Sequence, residues 1–317
     1  MGRLRRLRFC VIAIRRLGCC AFALLAGVAT TAHARQLADP PVTQMIDLDG
    51  RAVRVWVSGL ESRGLGKPVV VFEAGATNSL DAWVNVLPDV ATSGPAVAYD
   101  RAGLGRSEWD NQTPTPRHVV ERLRRLLRQI GAAPPYLLVG HSWGGSLVRY
   151  FAGYYPDEVA GLVYVDPGPL VTQSIADEIA PFDSIGAGRA GYEAFWSSYA
   201  ALMEHGSAAA LAEFNVYRSL MTREVGDRDL QPAPAVPVVV LVAAKPPPFL
   251  PNLPFDAQAH FEVDVRHRVR KLQAWALASP RGTLVLSNHS NHAIPREDPA
   301  LIVWAVQRVL VAAENSR

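Results

Sequence analysis

The sequence predicts an α/β protein with a mostly parallel central sheet flanked by helices and a helical insertion in its second half. Three observations lead there. Short, wholly apolar runs recur along the chain, as strands do when helices cover both faces of a sheet. Segments with helical spacing of apolar residues lie between most of those runs, and such alternation builds a parallel sheet. One stretch, 170–235, interrupts the rhythm with no strand of its own.

The opening 34 residues stand apart. Arg3, Arg5, Arg6, Arg8, Arg15 and Arg16 meet no compensating acid, an apolar run covers 17–28, and small residues end in Ala32-His33-Ala34. That order of charge, apolar core and A-x-A site is the order of a secretory signal peptide. Residues 1–34 are therefore expected to be removed near Ala34, with the mature chain secreted or periplasmic. A membrane anchor is the competing reading, but the run falls short of the ~20 residues that span a bilayer. No stable membrane insertion is expected after cleavage. Losing six arginines and no acid takes the formal charge from +3 to −3. Cys10, Cys19 and Cys20, the only thiols, leave as well, so the mature chain has no cysteine for catalysis, disulfides or metal binding. A slightly acidic domain argues against nucleic acid as a partner. The basic run 266–271 reads as the solvated face of a helix.

The mature chain begins with a Pro-containing lead-in, 35–42. Residues 45–59 pattern as a hairpin turning at Asp49-Gly50, a pair suited to a tight two-residue turn. Strands are expected at 68–72, 96–99, 136–139, 161–165, 236–243 and 283–286. Val119, Val120, Leu123, Leu126, Leu127 and Ile130 place a helix over 115–130, which Gly131 stops. Helical patterns also cover 145–155, 257–278 and 299–313. The stretch 170–235, with Phe182, Tyr192, Phe195, Trp196, Tyr199 and Met203, reads as a helical cap. That leaves 35–169 and 236–317 as the core domain.

Gly140-His141-Ser142-Trp143-Gly144 fits G-x-S-x-G once, with a strand before it and a helix after it. Glycines on both flanks allow a sharp turn that exposes the serine hydroxyl, and the following helix offers unpaired N–H groups to a developing anion. Serine is a weak nucleophile until a base takes its proton. His141 adjoins Ser142, but on so tight a turn its side chain is expected to point elsewhere. His118, His260 and His267 fall in helical patterns and are expected on the surface. His289 and His292 follow the last strand, where an open α/β sheet places functional groups.

Several of these motifs, in this order, resemble the α/β-hydrolase superfamily, in the branch of small lidded hydrolases with esterase-like and proline-iminopeptidase-like members. Glu73-Ala74-Gly75-Ala76 resembles the oxyanion loop, although many relatives have His-Gly where Glu73-Ala74 stands. Residues 99–107 resemble the family's D-R-x-G-x-G-x-S turn, 140–145 its nucleophile elbow, and 163–167 the strand that follows. His292 stands five residues before Glu297 and seven before Pro299, the spacing of the family's catalytic histidine. The resemblance implies Ser142 as nucleophile, His292 as base, and the backbone N–H groups of Ala76 and Trp143 as oxyanion hole. Asp100 and Arg101 are expected to fix their turn through local hydrogen bonds.

The acid is the least defined member. Most relatives supply it just after the strand at 236–243, where this chain reads Ala244-Lys245-Pro246-Pro247-Pro248. Asp166, directly after the strand at 161–165, takes a position that some members use. Asp256 and Asp264 are the alternatives, Asp264 lying inside an expected helix.

The resemblance implies acyl transfer to water, with a carboxylic ester of a small or medium apolar substrate as the first reading. A serine at the elbow argues against epoxide hydrolases and haloalkane dehalogenases, whose relatives place aspartate there. Amide or N-terminal prolyl cleavage is the alternative reaction. A lidded pocket that binds a small molecule without turnover is the alternative outside enzymology. No metal and no organic cofactor is expected.

Overall fold

The computed structural model describes residues 42–168, 170, 174–203, 206–222, 227, 229–246 and 255–315. The expected signal peptide and its cysteines lie outside them.

Eight strands form one sheet: β1 (Gln44–Leu48), β2 (Arg51–Ser58), β3 (Val69–Glu73), β4 (Ala96–Tyr99), β5 (Tyr136–His141), β6 (Val159–Val165), β7 (Val238–Ala243) and β8 (Gly282–Ser287). Their spatial order is β1-β2-β4-β3-β5-β6-β7-β8. The β1/β2 and β2/β4 pairs are antiparallel, and every later pairing is parallel. The hairpin turns as its sequence requires. Asp49 and Gly50 adopt φ of 57° and 74°, and Gly50 N–H donates to Asp47 Oδ1 at 2.8 Å.

The helices are α1 (Leu87–Ala91), α2 (Pro116–Gln129), α3 (Trp143–Tyr154), α4 (Ile175–Ile179), α5 (Gly188–Met203), α6 (Ala208–Met221), α7 (Ala257–Leu277), α8 (Ile294–Glu297) and α9 (Pro299–Glu314). Side chains alternate across a strand, so each apolar run feeds two cores. Val69, Val71, Leu138, Tyr164 and Val240 pack with Leu126 of α2, Phe151 of α3 and Leu272 of α7. Their neighbours Val70, Phe72, Val139, Val163 and Leu241 pack with Leu87 of α1 and Val306 of α9. Fully burying each of these side chains is worth about 1.5–3 kcal/mol, and β3, β4, β5 and β7, buried along their whole length, have no wet face to weaken that drive.

Between β6 and β7, α4 to α6 form the helical insertion. Trp196, Phe214 and Met221 make a small apolar cluster there, joined by Tyr217. The expectation of a solvated face at 266–271 holds for Arg266 and Arg270, which are exposed, and is corrected for the rest of its charges. His267, Arg268 and Lys271 are largely buried, and pair with Glu178 (His267 and Lys271) and Asp166 (Arg268). His260 is likewise enclosed, against Phe182, Phe195 and Phe255. His118 bonds to Asp110 at 2.8 Å.

Candidate active site

β5 ends at His141 and α3 starts at Trp143, so Ser142 alone makes the turn. Its φ of 52° and ψ of −121° are disfavoured for a residue with a Cβ. The surrounding backbone holds it there. Ser142 N–H donates to Val165 O at 3.1 Å, while its carbonyl accepts from Gly145 N–H at 2.9 Å and Gly168 N–H at 3.1 Å. The elbow also seats directly on the end of β3: a Cβ on Gly144 would lie 2.2 Å from Glu73 O.

Across the sheet edge, His292 Nδ1–H donates to Asp166 Oδ2 at 2.6 Å. Half of the imidazole is exposed (53%), whereas the carboxylate is 2% exposed. Asp166 follows β6 at once, with φ of 41°. Its Oδ1 accepts from Ala243 N–H at 2.8 Å and from Arg268 Nη1 at 2.5 Å. Burial works against its charge, but Arg268 and His292 outweigh that and hold the carboxyl well below the usual carboxylate range. Arg268 is itself held by Asp264 Oδ2 at 2.7 Å. Asp256 instead caps α7 through Gln258 and Ala259 N–H. Of the three aspartates weighed from sequence, then, only Asp166 meets His292.

The His292 loop is fixed locally. Asn291 N–H and Nδ2 donate to the Glu297 carboxylate at 3.1 and 2.8 Å, and Ala293 N–H donates to Asn291 Oδ1 at 2.8 Å. Glu297 thus accounts physically for its spacing from His292. His289 is exposed and takes no part in these bonds. As expected, the His141 side chain makes no bond to Ser142 among the described residues and turns instead to the His292 loop. Its Nε2–H donates to the His292 carbonyl at 2.8 Å, and the two rings lie 4.8 Å apart. Burial, with His292 adding to it, pushes the His141 imidazole down to about 3, so it is a neutral strut. It carries the loop of His292 against the residue next to Ser142. No hydrogen bond joins Ser142 Oγ to the His292 ring among the described residues, and such contacts often close only around a reacting carbonyl.

The loop after β3 approaches the same turn. A Cβ on Gly75 would lie 3.1 Å from His141 Nδ1 and 3.3 Å from Ser142 Cβ, so any larger residue would crowd this approach. Ala76 N–H has no acceptor among the described residues. Trp143 opens α3, so its N–H has no partner within the helix. The Trp143 ring is fully buried and packs on Tyr217 at 5.1 Å.

Asp100 behaves as expected, accepting Leu80 N–H at 2.7 Å and Arg106 N–H at 2.8 Å. Arg101 does not, and the expectation of local bonding is corrected. Its guanidinium reaches Glu73 at 2.7 Å, Glu213 at 2.6 and 2.7 Å, and the carbonyls of Ala74 and Gly75 at 2.8 and 2.6 Å. Tyr99 OH donates to Glu73 at 2.6 Å. Burial pushes the Glu73 carboxyl up, against Arg101 and Tyr99. For Arg101, burial opposes the charge, but Glu213 and Glu73 outweigh it and keep the guanidinium protonated. Sequence reading did not single out Glu213 or Arg268. Glu73 carried a readable sign, being a carboxylate at the end of an all-apolar strand.

Among the described residues no group of three or more His, Cys, Asp or Glu side chains fits a metal ion. Among them, too, no helix is long and apolar enough to cross a membrane.

Known proteins with similar sequences and structures have mixed chemistries. YqjL, an uncharacterized protein of Bacillus subtilis, is 32% identical over 105 residues, 33% of this chain and 42% of that protein. A haloalkane dehalogenase of Mycolicibacterium smegmatis is 33% identical over 126 residues, 38% of this chain and 40% of that enzyme. The chain thus spans less than half the length of either relative. A thermophilic esterase from Thermogutta terrifontis superposes with a TM-score of 0.57 at 19% identity, over 86% of this chain and 99% of that one. A family model described as alpha/beta hydrolase fold matches residues 68–307, and with the sheet order and elbow above, the chain belongs to the alpha/beta hydrolase fold family.

Proposed function

We propose that the protein is a serine hydrolase that cleaves a carboxylic ester of a small or medium apolar substrate through an acyl-enzyme. The observation that carries this reading is the 2.6 Å bond from His292 Nδ1–H to the buried Asp166 carboxylate, in a loop packed beside the strained Ser142 turn. The bond fixes the tautomer: with the proton on Nδ1, Nε2 is free to accept. In the proposed reaction, Ser142 Oγ attacks the ester carbon as its proton passes to His292 Nε2. The tetrahedral oxyanion rests on Ala76 N–H and Trp143 N–H. Asp166 stabilises the imidazolium, which gives the proton to the departing alkoxide. Water then repeats the sequence on the acyl-enzyme and releases the acid. Serine at 142 favours this chemistry over that of relatives with aspartate at the elbow.

The proposed test is labelling by a fluorophosphonate and turnover of p-nitrophenyl esters of increasing chain length, beside aminoacyl-anilides. Ser142→Ala and His292→Ala are expected to abolish labelling and leave only residual turnover, and His289→Ala to cost far less. An unlabelled parent protein would refute the enzyme reading in favour of a binding module. We further propose that residues 1–34 direct export, that 170–235 act as the cap of a core formed by 35–169 and 236–317, and that the partner is a small-molecule substrate without nucleic acid.

A further inference from the structure

We infer that Glu213, on α6 in the insertion between β6 and β7, is a positioning residue for the oxyanion site. The inference rests on the serine-hydrolase reading and adds the insertion to the machinery that stabilises the transition state.

The loop after β3 holds a conformation its sequence does not favour alone. Thr77, a β-branched residue, has φ of 61°. Side chains from elsewhere hold the loop in place. Arg101 donates to the carbonyls of Ala74 and Gly75, and Glu213 Oε1 accepts Thr77 N–H at 2.7 Å from 136 residues away. The peptides on both sides of Ala76 are therefore clamped, and Ala76 N–H is the group left for an incoming oxyanion. The clamp is itself pinned. Arg101 lies between Glu73, which belongs to the sheet, and Glu213, which does not, and both Glu213 oxygens are used. Arg101 is 4% exposed and Glu213 2%, so water cannot substitute for either. An oxyanion donor works only when preorganised at the place where charge develops. Glu213 is the one member of this clamp that the insertion supplies, so the hole is complete only with α6 seated.

Glu213→Ala removes both interactions. Glu213→Gln keeps an acceptor for Thr77 N–H but turns an amide donor toward Arg101. With a p-nitrophenyl ester, kcat is expected to fall about 100-fold in Glu213→Ala and about tenfold in Glu213→Gln, with KM changed by less than about threefold. An alkyl boronic acid, which places an oxygen in the hole once bonded to Ser142, should lose affinity by the same factor as kcat. Packing damage alone would move KM and leave the ratio of boronic acid to ester unchanged. Should Glu213→Ala fail to fold, the near-isosteric Glu213→Gln decides the matter. A kcat within about threefold of the parent in the folded variants, or equal losses in KM and boronic acid binding, overturns the inference. Failure of the parent to react with a fluorophosphonate would instead overturn the serine-hydrolase reading beneath it.

Discussion

Replacing Asp166 by asparagine tests the chemistry at its most constrained point. Two donors, Ala243 N–H and Arg268 Nη1, converge on Oδ1, while His292 Nδ1–H alone meets Oδ2. An amide has one oxygen to offer, and two donors outcompete one, so the oxygen settles toward Arg268 and Ala243. Its NH2 then faces His292 Nδ1, drives the ring proton to Nε2, and leaves nothing to accept the proton of Ser142. Holding the histidine of a serine triad in the wrong tautomer costs about 10⁴ in turnover, roughly 5.5 kcal/mol in the barrier. Breaking a buried ion pair costs about 3–5 kcal/mol of stability, and the low end applies because Arg268 keeps Asp264. The assay is p-nitrophenyl ester turnover beside a thermal melt, with Asp256→Asn and Asp264→Asn as controls expected to retain turnover within about tenfold. An acid-unfolding series adds a sign. The native carboxyl sits below its unfolded value, so its stabilisation is complete above about pH 4 and drains away as pH falls further; the asparagine variant should lack that component. Turnover within about tenfold of the parent in a folded Asp166→Asn protein would refute the reasoning.

Arg268→Gln removes a buried cation from the far side of the same carboxylate. Arg268 is the largest of the groups that offset the burial of Asp166, so without it the carboxyl should rise and the acid midpoint of unfolding should move to higher pH, with Arg268→Lys holding closer to the parent; an unmoved midpoint in a folded variant would show that Arg268 only packs. Export predicts that protein recovered from periplasm or medium begins near Arg35, and recovery of an intact Met1 end in the membrane fraction would contradict it.

The parts of this fold that were legible in the sequence are those that a one-dimensional pattern encodes. Strands buried on both faces must be apolar throughout, and β3, β4, β5 and β7 are largely so. The elbow was legible because a turn this tight requires its glycines. Charges that compensate one another across the core leave no such period. In α7, Arg268 and Lys271 resemble any solvated cations until β6 and α4 supply Asp166 and Glu178 opposite them. Arg101 looked like a turn residue because its partners Glu73 and Glu213 lie 28 and 112 positions away. For the acid, the sequence left Asp166, Asp256 and Asp264 open, since only the placement of α7 shows that Asp264 faces Arg268 and not His292.

The opening hairpin bears on where this molecule begins as a physical object. The segment matching the family starts at residue 68, yet β2 pairs with β4 from Val55 to Ser58 and closes that side of the parallel sheet. Arg54, buried in β2, holds Asp81 through two bonds at 2.8 and 2.9 Å and reaches the fully buried Asp100 at 3.6 Å. Trimming to the matched segment would bare the apolar edge of β4, an invitation to intermolecular pairing, and would strip Asp100 of a counter-ion. The unit that sequence comparison recognises is therefore smaller than the unit that closes on itself, and the missing margin is the hairpin at 44–58.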